Sequence, residues 1–200
     1  MQKKTSQYSQ PATDLILKLF ESIHPLSEGL KLLIETYSYV IDVEAKVRLI
    51  DIGKVQKQIY FILKGGVRSY YIDPAGNEIS SWLLFEGELA IAVYSFFSQK
   101  PSFETLETLE PCSLLVLSYD KLNELYHQFP EFNFIGRVLT ERYYIKSEEK
   151  ANELRMLPAI ERYRNLMERH PNILKRTPLG IIASYLGITQ STLSRIRAKV

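Results

Sequence analysis

The chain has 200 residues, with 25 Lys and Arg against 23 Asp and Glu, for a formal net charge of +2. Hydrophobic residues at 46% and charged residues at 24% are ordinary globular proportions and exclude a disordered chain. No apolar run approaches the ~20 residues of a membrane span, and residues 1–7 lack the apolar stretch of a secretion signal, so the expected setting is the cytoplasm, with no membrane partner. A single cysteine, Cys112, excludes a disulfide framework, an all-cysteine zinc site and a four-cysteine iron–sulfur cluster.

Residues 14–40 read as short amphipathic helices, built on Leu15-Ile16-Leu17 and Leu30-Lys31-Leu32-Leu33-Ile34. Over residues 45–118 the texture changes to short β-branched and aromatic runs, such as Gln58–Leu63 and Val67–Ile72. Turn signals separate them: Lys64-Gly65-Gly66, Asp73-Pro74-Ala75-Gly76-Asn77, Glu86-Gly87-Glu88, Lys100-Pro101-Ser102 and Glu110-Pro111. Strands at this spacing predict a compact antiparallel sandwich or barrel. Residues 119–129 then predict one helix, stopped by Pro130, and residues 131–154 a long one. Phe134, Ile135, Val138, Leu139, Ile145, Ala151 and Leu154 lie near one side of the long helix, a stripe that either meets a second copy of the chain or lies across its own β domain. Pairing with a copy is the expectation, and Pro158 opens a further helix.

The charge is unevenly placed. Residues 158–200 carry eight basic and two acidic residues, a net of +6, and nothing acidic follows Pro171. Such an end suits a polyanion or forms a solvated basic tail.

The run Leu179-Gly180-Ile181-Ile182-Ala183-Ser184-Tyr185-Leu186-Gly187-Ile188-Thr189-Gln190-Ser191-Thr192-Leu193-Ser194-Arg195-Ile196-Arg197 carries a mechanism. Ala183 is small where two helices must cross closely, and Gly187 stands where the chain turns sharply and a positive φ is needed. Ile182, Leu186, Ile188, Leu193 and Ile196 take the positions that bury between crossed helices. Thr177-Pro178 and Thr189 are candidate caps. This is a helix-turn-helix pattern. On a wheel of the second helix, Leu193, Ile196 and Val200 point inward, whereas Ser191, Ser194 and Arg195 point outward. Thr192 and Lys199 lie at a margin, and Gln190 is in the first turn. Arg can pair bidentately with guanine, Gln can read adenine, and hydroxyls can reach phosphates.

A β-roll, a long helix and this C-terminal motif resemble the Crp/Fnr superfamily of bacterial transcription regulators. Ile182–Ile188, Thr192–Arg197, Glu161-Arg162-Tyr163 and Arg176-Thr177-Pro178 are similar to members common in Bacteroidetes-type bacteria. The resemblance implies an α+β chain: a jelly-roll-like, cyclic-nucleotide-binding-like sensor domain at 1–130, a connecting and dimerisation helix at 131–155, and a helix-turn-helix domain at 156–200. It implies no enzymatic activity, and double-stranded DNA, a second copy, RNA polymerase and a small-molecule effector as partners. Gln190, Ser191 and Arg195 match the family's base-reading positions, with Thr189, Thr192 and Ser194 near the backbone and Lys199 beside them. The family adds a β wing after this helix; the sequence stops at Val200, so a truncated wing is expected.

In relatives that hold a cyclic nucleotide, a Gly-Glu-Leu turn is followed about ten residues later by an Arg that meets the phosphate. Here Gly87-Glu88-Leu89 is present, yet no Arg occurs between Arg68 and Arg137. Ungapped counting places Ser102, followed by Phe103-Glu104, where the Arg belongs; an insertion would instead bring Glu88 and Lys100 together. Binding of cAMP by the usual contacts is therefore not expected. Trp82, Phe85, Tyr94, Phe96, Phe97 and Phe103 either line an apolar pocket or form the roll's core. The candidate ligand residues are Trp82, Gly87, Glu88, Lys100, Ser102 and, by counting along the long helix, Ser147. His24, His127 and His170 are scattered, so no metal site is expected, and no nucleophilic triad or phosphate-binding loop is present. The competing reading is a ligand-binding sensor that acts through protein association, with a vestigial DNA-binding domain.

Overall fold

The computed structural model describes residues 3–5 and 10–199, with side chains from Thr13 onward. Helices α1 (Gln10–Glu21) and α2 (Glu28–Tyr37) precede a roll of two antiparallel sheets. The first sheet has the order β1 (Lys3–Thr5), β2 (Tyr39–Val43), β9 (Cys112–Ser118), β4 (Gln58–Lys64), β7 (Leu89–Ala90). The second has the order β3 (Arg48–Ile50), β8 (Thr105–Thr108), β5 (Val67–Ile72), β6 (Glu78–Leu84). A short helix, α3 (Val93–Ser98), interrupts the strands, and α4 (Tyr119–Gln128) and α5 (Pro130–Met156) follow. The chain finishes in α6 (Ala159–Arg169), α7 (Ile173–Arg176), α8 (Leu179–Tyr185) and α9 (Gln190–Arg197). Among the described residues no helix is long and apolar enough to cross a membrane.

The two-residue period of a strand separates two cores. In the β4–β9 ladder, Tyr60 pairs with Val116, Phe61 with Leu115 and Ile62 with Leu114. Tyr60, Ile62, Leu114 and Val116 turn into the space between the sheets, where they meet Val67 and Leu106. Phe61 and Leu115 turn outward and join Phe20, Leu30, Ile34, Leu125, Phe132 and Ile135 from the surrounding helices. The β4–β5 turn passes so close to β9 that only glycine fits at Gly65 (φ +99°): a Cβ there would lie 2.6 Å from the Cys112 sulfur.

Several elements depart from the sequence expectation. Residues 39 and 40, read with the helices, belong to β2, whose Val40 and Ile41 are held by pairing with β9. Helices α3 and α7 were not expected. Thr177 does not cap α8: Pro178, in extended conformation, occupies the cap position, while Thr177 ends α7 with its N–H on the Ile173 carbonyl. Ile135, placed on the outer stripe of the long helix, is fully buried against the roll because α5 packs that face on α4 and the first sheet. Thr189 does cap α9, accepting a hydrogen bond from the N–H of Thr192 at 3.2 Å. Val200, expected to point inward, lies outside the described residues.

The helix-turn-helix sits on the free edge of the second sheet. Strand β6 is an edge strand, and the Ser184 hydroxyl of α8 accepts from the N–H of Ser80 at 2.8 Å and donates to the carbonyl of Glu78 at 2.9 Å. Leu83 and Phe85 bury into one cluster with Tyr163, Leu166, Ile173, Ile182, Leu186 and Leu193. Arg176 makes two hydrogen bonds to the Glu86 carboxylate, at 2.7 and 2.9 Å, pairs also with Glu110, and stacks 4.6 Å over the Phe85 ring.

The Arg176 guanidinium holds the Glu86 carboxyl down to about 2. A carboxylate lowered by folding stabilises above its ordinary range, and that contribution is lost as pH falls through the folded value. Arg176→Ala should therefore lower the urea midpoint at neutral pH. The gap from the parent should close as pH falls from the ordinary carboxylate range toward about 2; a gap independent of pH would show that the pair contributes nothing to docking.

Candidate functional site: a helical reading face and an apolar cavity

Helices α8 and α9 cross on Ile182, Ala183, Leu186, Leu193 and Ile196, all buried. The turn between them places Gly187 at φ +65°, and a Cβ there would come within 3.3 Å of a Leu154 methyl on α5. Leu193 and Ile196 thereby fix the rotation of α9. Gln190, Ser191, Ser194, Arg195, Arg197 and Lys199 face outward, with Thr189 exposed at the cap and Thr192 half-buried. The Thr192 hydroxyl accepts from the Arg195 guanidinium at 3.2 Å, which steadies that side chain without neutralising it.

The basic end is less available than its count suggests. Arg162 donates to the carbonyls of Leu186 and Leu157, Arg169 pairs with Glu153, and Arg176 joins the roll. Arg164, Lys175, Arg195, Arg197 and Lys199 are exposed and have no carboxylate partner among the described residues. Arg197 was not singled out from the sequence because it lies beside Leu193 on the wheel; its exposure puts it with the α9 cations.

A second feature lies where the roll meets α5. A cavity of about 300 Å³ is walled by Ile16, Leu19, Phe20, Ile34, Ile59, Phe61, Leu89, Ile91, Leu115 and Leu139, among others, with Trp82, Gly87, Glu88, Thr140, Arg142, Tyr143 and Lys146 also in its lining. Three of the expected ligand residues, Trp82, Gly87 and Glu88, thus come together. Lys100, Ser102 and Ser147 do not. Lys100 is exposed beyond α3, the Ser102 hydroxyl is spent on the backbone of Glu104, and Ser147 lies outside the lining. The aromatic residues divide likewise. Trp82 and Phe97 line the cavity, Phe96 is core, Phe85 packs under the helix-turn-helix, and Tyr94 and Phe103 stack on the surface at 4.6 Å.

The charges around the roll are committed. Buried Arg68 bonds Glu107 at 2.7 and 3.0 Å and pairs with Glu78. Glu88 accepts from the N–H of Phe85 and pairs with Lys146 at 3.2 Å. Glu104 is buried on Ser69, and burial raises its carboxyl above the ordinary value. No group of three or more His, Cys, Asp or Glu among the described residues could hold a metal ion.

Residues 40–129 match the family model of the cyclic nucleotide-binding domain. The chain is similar in structure to FixK2 from Bradyrhizobium japonicum, with a TM-score of 0.72 at 16% identity, covering 81% of this chain and 83% of that one. It is also similar to the c-di-GMP responsive global regulator CLP of Xanthomonas campestris, with a TM-score of 0.65 at 17% identity over 86% and 91% of the two chains. The catabolite activator protein of Thermus thermophilus gives a TM-score of 0.56 at 19% identity over 88% and 84%. No curated protein sequence matches the chain. The chain shares the fold of these three proteins: a cyclic nucleotide-binding-type roll, a long helix and C-terminal helices.

Lys150 joins the two features. Its ammonium lies 3.3 Å from the centre of the Tyr185 ring on α8 and 5.5 Å from that of Trp82, and it donates to the Ser81 carbonyl. Burial lowers its pKa to about 7. A lysine lowered by folding is uncharged in the native state at pH values where the unfolded chain still binds the proton, so stability rises with pH from about 7 to its ordinary value of 10.5. Urea midpoints measured across that window should climb in the parent relative to Lys150→Met; parallel profiles would show that the ammonium is not desolvated there.

Proposed function

We propose that the chain is a DNA-binding transcription regulator that works as a homodimer and carries a small-molecule-sensing roll. On this reading residues 1–130 are the sensor, 131–155 the dimerisation helix and 156–200 the reading head. The observation that carries it is the α8–Gly187–α9 unit, whose buried Leu193 and Ile196 turn Gln190, Ser191, Ser194 and Arg195 outward, with Arg195 unpaired by any carboxylate among the described residues. The regulators with the same fold support it. Gln190, Ser191 and Arg195 read base edges; Thr189, Thr192, Ser194 and Lys199 lie near the phosphates. Two such heads meet half-sites about one helical turn apart. The roll does not take cAMP through the usual contacts, since its two arginines are committed, Arg68 to Glu107 and Glu78 and Arg48 to Asp51 and Glu107.

Dimerisation runs along the outer face of α5. Phe134, Ile145 and Met156 recur every eleven residues and are exposed, Ile145 at 55% and Met156 at 78%. At 100° per residue they share one stripe. Ile145→Asp should convert the dimer to a monomer in sedimentation without loss of β content; a dimer that persists would place the interface elsewhere.

Arg195→Ala should cost ~1–3 kcal/mol on a selected operator and relax preference at one base pair per half-site. Lys199→Ala should weaken all duplexes alike and shallow the salt slope by about one. Equal losses on operator and random DNA would make Arg195 a phosphate clamp. Absence of binding to any duplex at low salt would leave a sensor that acts through protein association.

A further inference from the structure

The cavity's chemistry is divided. Its walls are mostly aliphatic and aromatic; beside the hydroxyls of Ser38, Ser69 and Thr140, its polar groups include a carboxylate, Glu88, already paired with Lys146. The roll's two arginines, Arg48 and Arg68, are not among the lining residues. Arg142 is: an exposed guanidinium on α5, with no carboxylate partner among the described residues. Lys146 lies one helical turn further along the same face of α5. A nucleotide, with its polar base, sugar and phosphate, would leave its donors and acceptors unmet on such walls. A purely apolar molecule would leave the guanidinium unused. A volume of about 300 Å³ stands at the small end of ligand pockets, room for a small molecule with one alkyl chain.

We infer that this cavity binds a single-chain aliphatic carboxylate, its chain among Ile16, Phe61, Leu115 and Leu139 and its carboxylate on Arg142. The inference deepens the sensory reading of the roll and rests on it. An Arg–carboxylate pair is bidentate and directional, so the head group fixes which way the chain enters. Insertion replaces water against apolar walls, which supplies the driving force.

Trp82 is the sole tryptophan and lines the cavity, so its fluorescence reports occupancy. Titration of the full chain with decanoate should change that emission and give saturable heat in calorimetry. Decanol, with the same chain and no charge, should bind more weakly. Arg142→Gln should weaken decanoate about tenfold, the low end of what a hydrogen bond to a charged group contributes, and leave decanol unchanged. Leu139→Phe, which fills the cavity, should weaken both, with unchanged circular dichroism showing that the variant is folded. Absence of decanoate binding in calorimetry, or binding indifferent to both Arg142→Gln and Leu139→Phe, overturns the inference. Binding of duplex DNA by the same preparation separates that outcome from failure of the regulator reading itself.

Discussion

An edge strand exposes a row of unpaired N–H and carbonyl groups, and in this molecule the solution to that problem organises everything else. Strand β6 closes one side of the second sheet, and α8 lies against it, with one serine hydroxyl satisfying both the Ser80 N–H and the Glu78 carbonyl. Around that contact Leu83 and Phe85 leave the roll and enter the hydrophobic cluster of the helical end. Arg176 closes the margin with Glu86 and Glu110. Since α8 is turned toward the sheet, α9 is turned away from it, and its polar face is free to meet a large partner.

Helix α5 is the second organising element because each of its faces has a different neighbour. Phe132 and Ile135 are buried in the roll's outer core. Arg142 and Lys146 border the cavity, Lys150 reaches Trp82 and Tyr185, and Ile145 and Met156 are left exposed. A helix with four such neighbours cannot show a clean amphipathic period. Its charged residues interrupt the apolar stripe because three of them, Arg142, Lys146 and Lys150, work at its sides.

That is also why the sequence is legible in some places and not in others. The helix-turn-helix is local: Ala183, Gly187, Leu193 and Ile196 act through neighbours a few residues away, so spacing alone predicts the buried and exposed positions. The roll's alternation is nearly as direct, as Tyr60, Phe61 and Ile62 demonstrate by facing opposite cores. The cavity is different. Its wall collects α1, α2, β4, β9 and α5, elements more than a hundred residues apart, and no periodicity records that they meet. A turn motif marks Gly87 and Glu88, and the crowding of aromatic residues marks Trp82. Arg142, on the same cavity, looks in sequence like an interruption of a stripe. Ile135 was read on the wrong side of α5 because a wheel gives relative angles and not which angle faces the roll. Ser102 depended on ungapped counting back from the strand that ends at Ser118, and Lys100 on an insertion after Glu88, where α3 lies.

The sharing of Leu83 and Phe85 between sheet and helices has a consequence for how separable the two halves are. In linear order the chain reads as a sensor followed by an interchangeable head, an arrangement that suggests modular exchange. The packing denies that modularity. A foreign head placed on this roll would leave two large apolar side chains and a sheet edge facing water, and this head placed on a foreign roll would carry a hole where they belong. The junction must be recut on both sides at once, so sensor and head form a matched pair.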